Sequence, residues 1–186
     1  MKRLFAAINI IPDERFSSIY GDLQRQLATE KIRWIKPENL HLTLKFFGET
    51  PIEKIDIINK LLQKITAHHL PFTIQLEKTG IFGSRYKPRV IWFGVGKNVQ
   101  LVSLAHDVLM ELDKAGFSLD RQNFVPHLSL GRIKVVHNKV AFQQVINRFK
   151  EVFVQEVKVR NISLFESNLL PSGAVYKQIE EYKLGE

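Results

Sequence analysis

Two hydrophobic rhythms divide this chain, and each predicts a type of element. A period of two, with apolar side chains on one face, marks strands at Arg3 to Ile10, Leu40 to Phe47, Phe72 to Glu77 and Val90 to Val95, and another beginning at Pro126. Two closing runs, Val152 to Glu166 and Ala174 to Tyr182, are joined by LLPSG and read as a hairpin. The helical period appears between them. Phe16, Tyr20, Leu23 and Leu27 follow Pro12 and Asp13; Leu101, Ala105, Val108 and Leu112 lie within Val99 to Lys114, which stops at Gly116. Ile55, Ile58, Leu62 and Ile65 follow Thr50, Pro51 and Glu53, which have the form of an N-cap, a first-turn proline and a capping-box acid. Phe142, Val145, Ile146 and Phe149 make a fourth apolar stripe over Lys139 to Lys150. GIFGSRYKP, with Arg85 and Lys87 and followed by Arg89, reads as a solvated loop. The mixture predicts an α+β fold.

One strand pattern occurs twice. NLHLTLKFFG spans Asn39 to Gly48, and NFVPHLSLGR spans Asn123 to Arg132; each precedes a turn and then a helix. Two related halves are therefore expected, not a solenoid, whose repeats are shorter and more numerous. Alternation puts His41 and Thr43 on one face with Leu42 and Leu44 behind them, and does the same for His127 and Ser129 against Leu128 and Leu130. An imidazole gives or takes a proton near neutral pH, and a hydroxyl donates to an oxyanion. Two such pairs facing one cleft would supply a base, an acid and two donors around one phosphate, which suffices to cleave a phosphodiester without metal. The residues themselves leave the acid and base roles interchangeable.

Composition narrows the setting. The 186 residues, 45% hydrophobic and 25% charged, provide for a real core, and one domain over residues 1–186 is expected. The absence of cysteine removes disulfides, thiolate nucleophiles and Cys-based zinc sites, and fits a cytoplasmic protein. The first apolar run is too short for a signal segment and is followed at once by Asp13 and Glu14; no stretch approaches the roughly 20 apolar residues of a membrane span. A formal charge of +8, from 27 Lys and Arg against 19 Asp and Glu, attracts polyanions, although the lysines are scattered and charge alone is weak evidence for RNA.

Several longer segments carry a family resemblance. RWIKPENLHLTLKFFGE, PRVIWFGV, AGFSLDRQNFVPHLSLGR and SLFESNLLPSGAVY resemble, in order and over nearly the whole chain, segments of the two-histidine phosphoesterase superfamily, and within it the RNA 2′,3′-cyclic phosphodiesterase branch, also called 2′-5′ RNA ligase. The resemblance implies a bilobal fold with pseudo-symmetric halves, antiparallel sheets facing a central cleft, each motif on a central strand, and helices outside. It implies metal-independent opening of a terminal cyclic phosphate to a 2′-phosphomonoester, with no cofactor and with reversible 2′-5′ ligation as a further reaction. By motif match His41 would donate a proton and His127 accept one, Thr43 and Ser129 would hold phosphate oxygens, and Arg132 would bind phosphate. The implied partners are RNA, tRNA fragments among it, or nucleotides with cyclic phosphate ends. No membrane is involved, and a monomer is expected.

Some details depart from this pattern. Ser129 stands where Thr is frequent, losing the methyl that stiffens the rotamer. Strict parity puts Arg132 opposite Ser129, so it needs either a bulge permitted by Gly131 or a side chain wrapped round the strand end. Phe46, its counterpart in the first motif, is expected in the core, and so are Trp34 and Trp92. His68 and His69 are expected as exposed residues at a helix end, and neither they nor His106 and His137 are assigned to a site. The rival readings are a metal hydrolase, disfavoured because no further ligand lies beside either motif, and an RNA phosphate-end binding module without turnover.

Overall fold

A computed structural model describes residues 1–118, 124–170 and 173–185. In chain order the elements are β1 (Lys2–Asn9), α1 (Glu14–Gln26), β2 (Lys31–Trp34), β3 (His41–Thr50), α2 (Ile55–Thr66), β4 (Phe72–Gly83), β5 (Pro88–Val95), α3 (Val99–Lys114), β6 (His127–Val135), α4 (Lys139–Arg148), β7 (Phe153–Val159), β8 (Asn161–Leu170) and β9 (Gly173–Lys183). Short polar side chains start three of the helices: Asp13, Asn98 and Asn138 accept from the backbone N–H of Phe16, Leu101 and Ala141 at 2.7, 2.8 and 3.0 Å. The fourth, α2, lacks the expected cap. Thr50 pairs with Lys2 in the sheet and its hydroxyl donates to the Gly48 carbonyl at 3.1 Å, so the ladder takes the residue that would have capped the helix. A 3₁₀ turn, Ile52–Lys54, intervenes before α2 begins.

The strands form two antiparallel sheets, ordered β3-β1-β8-β9 and β2-β6-β5-β4-β7. The halves repeat one plan. A strand, β1 or β5, leads through a helix to a motif strand, β3 or β6, beside it in the sheet, and another helix follows. Two strand sets cross over: β2 joins the second sheet against β6, and β8 and β9 complete the first. The run from Val152 to Glu166, expected as one strand, therefore divides at Arg160 into β7 and β8, which serve different sheets. No Gly or Pro marks this change of sheet in the sequence. β6 lies inside its sheet, whereas β3 is an edge strand and not a central one. GIFGSRYKP is mostly strand, with Ser84 to Lys87 left as the tip between β4 and β5. The β8–β9 hairpin forms as expected up to Leu170 opposite Gly173; Pro171 and Ser172 of its turn lie outside the described residues.

The backs of both motif strands belong to the core. Leu42, Leu44, Leu128 and Leu130 are all buried, within a cluster that also contains Phe16, Leu23, Ile58, Leu62, Leu104, Val108 and Phe142 from the four helices. Both strands also bulge at their second leucine. Ala7 and Ala6 face Thr43 and Lys45, passing over Leu44; Trp92 and Ile91 face Ser129 and Gly131, passing over Leu130. At the second bulge the Leu130 carbonyl accepts from the Tyr20 hydroxyl at 3.0 Å and from the Ile35 N–H at 2.8 Å. The neighbouring strand explains Gly131: a Cβ there would stand 2.8 Å from Ile32 Cγ2 and 3.0 Å from Trp34 Cε3. The matching residue on edge strand β3 is Lys45, whose ammonium reaches the Ser118 carbonyl at 2.7 Å. Gly131→Ala is expected to lower stability by about 1–3 kcal/mol through overpacking against β2. Urea denaturation would measure it, and an unchanged midpoint would mean that the contact yields freely.

Candidate active site

The bulges decide what faces the cleft. In each motif strand exposure runs half-buried, buried, half-buried, buried, buried, exposed, from His41 to Phe46 and from His127 to Arg132. The two consecutive buried positions reset the alternation, so Phe46 and Arg132 emerge on the same face as the histidines and hydroxyls. Arg132 thus reaches that face by the bulge that Gly131 permits. Phe46 is not core; it is 39% exposed, with the Arg3 guanidinium 4.8 Å above its ring. The same reset that brings Arg132 forward turns Phe46 out of the interior.

Both imidazoles are held by one device. His41 Nδ1 lies 2.7 Å from the Asn39 carbonyl, and His127 Nδ1 lies 2.8 Å from the Val125 carbonyl, in each case two residues back. A carbonyl oxygen accepts only, so Nδ1 carries a proton in both rings and Nε2 is left for substrate chemistry. Aromatic neighbours restrict the rings further. Phe5 lies 4.7 Å from His41 and Tyr176 meets it edge-on at 5.1 Å; Phe82 meets His127 edge-on at 4.6 Å. The first sheet curls to allow this, since β3 and β9 are its opposite edges, and Asn39 Nδ2 donates to the Ala174 carbonyl at 3.4 Å.

Although far apart in sequence, the histidines share one electrostatic environment. Burial pulls the His41 pKa below its usual 6.5, the Asn39 hydrogen bond opposes this, and the His127 charge lowers it further. β3 and β6 also approach each other across the two sheets. The depressed pKa makes acid unfavourable: His41 costs no stability well above pH 6.5 and withdraws it as pH falls through 6.5 toward the folded value. Thr43 and Ser129 stand beside their histidines on the same strand faces.

Sequence reasoning missed Phe5, Phe82, Tyr176 and Arg3, which frame the site from other strands. Their one advance sign was a place at alternate positions of predicted strands. Trp34 packs on the core as expected, edge-on to Tyr20 at 5.6 Å. Trp92 is opposite Ser129, on the motif side of β5, with its buried Nε1 lacking a hydrogen-bond partner among the described residues. Of the other histidines, His68 is exposed as expected, but His69 is largely covered and bonds Asp107 Oδ2 at 2.9 Å. The chain after α2 folds back against α3, which takes His69 out of solvent. Among the described residues no group of three or more His, Cys, Asp and Glu side chains is placed to hold a metal. No helix among them is long and apolar enough to cross a membrane.

A family model described as LigT like Phosphoesterase matches the chain twice, over residues 10–92 and 95–176, with one histidine motif in each match. This chain belongs to the LigT-like phosphoesterase family. Among its LigT-like relatives, a protein of Methanocaldococcus jannaschii named RNA 2′,3′-cyclic phosphodiesterase is 35% identical over 97% of this chain and 99% of its own. One of Aquifex aeolicus with the same name is also 35% identical, over the whole of both chains. A crystal structure from Thermus thermophilus superposes with a TM-score of 0.82 at 26% identity, over 99% of each chain. E. coli LigT complexed with 3′-AMP shares the fold at a TM-score of 0.79 and 24% identity, over 100% of this chain and 99% of that one. In an NMR titration of this LigT-like protein, His41 should protonate below 6.5, and His127→Gln should raise its midpoint by removing a like charge. An unmoved midpoint would mean that the two rings do not share a pocket.

Proposed function

We propose that this LigT-like phosphoesterase hydrolyses RNA 2′,3′-cyclic phosphate ends to 2′-phosphomonoesters. The observation that carries the proposal is the mirrored pair of imidazoles, each tied through Nδ1 to its own chain and close enough for one charge to shift the other's proton affinity. His127 Nε2 takes a proton from water as the water oxygen bonds to phosphorus. The bond from phosphorus to O3′ breaks, and His41 Nε2 gives its proton to that oxygen. The Thr43 and Ser129 hydroxyls donate to the non-bridging oxygens, where transition-state charge collects. Arg132 binds the substrate from further along β6. Exchange with solvent then restores both rings.

The direction of the His41 shift bears on this division of labour. Burial keeps the ring neutral in the free protein, so an acid at position 41 needs help to hold its proton. A phosphodiester anion bound between the rings supplies it, because an adjacent negative charge favours the imidazolium. Chemistry by two side chains, without metal or cofactor, belongs to this reading, as does action by residues 1–186 as one unit, which the contribution of one ring by each half supports. Reverse 2′-5′ ligation would use the same acid and base in exchanged order, with water favouring hydrolysis. Action as a monomer in the cytoplasm, on RNA with tRNA fragments among its substrates, belongs to the same proposal.

The test offers an oligoribonucleotide ending in a 2′,3′-cyclic phosphate, with EDTA present, and determines which oxygen keeps the phosphate. A 2′-phosphate is expected, with turnover reduced about 10²-fold or more in His41→Ala and in His127→Ala while both variants remain folded by circular dichroism. Full turnover in either variant, or loss of wild-type turnover on chelation, would overturn the assignment. Tight binding of the RNA end without product would favour the binding-module reading.

A further inference from the structure

The concave face of the first sheet continues past the histidine pocket. Opposite pairs along β1 and β3 run Asn9 with His41, Ala7 with Thr43, Phe5 with Phe46 and Arg3 with Glu49. His41, Phe5, Phe46 and Arg3 consequently follow in a row, at 4.7, 6.4 and 4.8 Å from each to the next. Arg3 lies about 20 Å along β1 from the residue opposite His41, at ~3.3 Å per residue. Even reaching back over Phe46, its guanidinium is a full ring beyond the imidazole and is not placed to share the same phosphate.

Arg132 belongs to the other sheet. It lies beyond Ser129 on β6, on the motif face that the bulge restores. Tyr176 of β9 flanks the row, its ring meeting both Phe5, at 5.0 Å, and His41, at 5.1 Å. The charges of Arg132 and Arg3 both bear on its phenol, while burial, the larger influence, raises the pKa and keeps the hydroxyl protonated as a donor. Among the described residues, neither guanidinium has a carboxylate within salt-bridge distance and the phenol has no hydrogen-bond partner. Glu49, opposite Arg3, does not pair with it, and Glu166 on β8 is taken by Lys2 at 2.9 Å. The row thus ends on a cation that no carboxylate among the described residues neutralises.

We propose that Arg3, beside the Tyr176 ring, forms a second anion site, past the histidine pocket, that takes the phosphodiester joining a terminal nucleotide to the rest of an RNA strand. It rests on the proposed function for the position of the cyclic end and adds what lies upstream of it. One nucleoside bridges the interval, with the exposed Phe46 ring beside it as a surface for stacking. The site therefore makes the protein a reader of RNA ends and not merely of nucleoside cyclic phosphates, because a free nucleoside cyclic phosphate has no second phosphate to offer. Planar guanidinium forks suit a phosphodiester that presents two non-bridging oxygens.

Binding, not turnover, gives the cleanest test. Affinities of a tetraribonucleotide ending in a 2′-phosphate and of the corresponding nucleoside 2′-phosphate would be measured over a range of salt, for the wild type and Arg3→Gln. The variant is expected to bind the tetranucleotide about tenfold more weakly, with a salt slope shallower by about 0.7. The nucleoside phosphate should bind within twofold of wild type, and Arg3→Lys should restore most of the slope. Equal losses on both ligands, or no loss on either, would overturn the second site. Wild-type hydrolysis of a nucleoside 2′,3′-cyclic phosphate is scored separately: its failure would count against the catalytic reading, while the ratio of the two affinities would still decide this one.

Discussion

Each imidazole in this fold is aimed by its own backbone. The carbonyls of Asn39 and Val125 take the Nδ1 proton of the histidine two residues later, which fixes the tautomer and leaves one nitrogen per ring for chemistry. That hydrogen bond is useful only if the strand cannot rotate, and the buried leucines behind it prevent rotation. Leu42 and Leu44, like Leu128 and Leu130, belong to the core that the helices close. A slip of one residue would bury both imidazoles and expose leucine, so core packing and site geometry are one constraint.

The paired bulges convert two similar strands into different halves of a site. Each resets the alternation after its second leucine and turns one further side chain toward the motif face, Phe46 in one half and Arg132 in the other. Their surroundings differ for a topological reason. β6 has β2 beside it, so position 131 has no room for a side chain, whereas β3 is an edge and accommodates Lys45 at the matching place. Near-repetition thus supplies the matched histidines, residue identity at the reset position sets an aromatic ring against a cation, and sheet position decides whether the residue before it can carry a side chain. Burial then distinguishes His41 by disfavouring its charge, and a phosphate between the rings would act in the opposite sense.

Much of this was legible in the sequence because local chemistry and tertiary demand agree. The expected limits of α3, Val99 to Lys114, are those observed, and Asp13 caps α1. The pairing of histidine with hydroxyl on each strand face followed from alternation alone. Where local and long-range demands compete, the sequence misled. Thr50 has the form of a helix cap but serves the ladder to β1, and Phe46 looks like core until the bulge turns it outward. β2 is four residues long and gained its strand character from pairing with β6. The change of sheet at Arg160 had no turn residue to announce it. Phe5, Phe82 and Tyr176 could not be placed beside the histidines because sheet curl and strand order, not periodicity, bring them there.

Two rings acting on one phosphorus is the central claim, and a crystal structure of the protein soaked with a 2′-nucleotide tests it directly. The account predicts one phosphate group with Nε2 of both His41 and His127 within about 2.6–3.2 Å of its oxygens, and with the Thr43 and Ser129 hydroxyls on its remaining oxygens. A phosphate held by one histidine alone, with the other ring directed elsewhere, would contradict it.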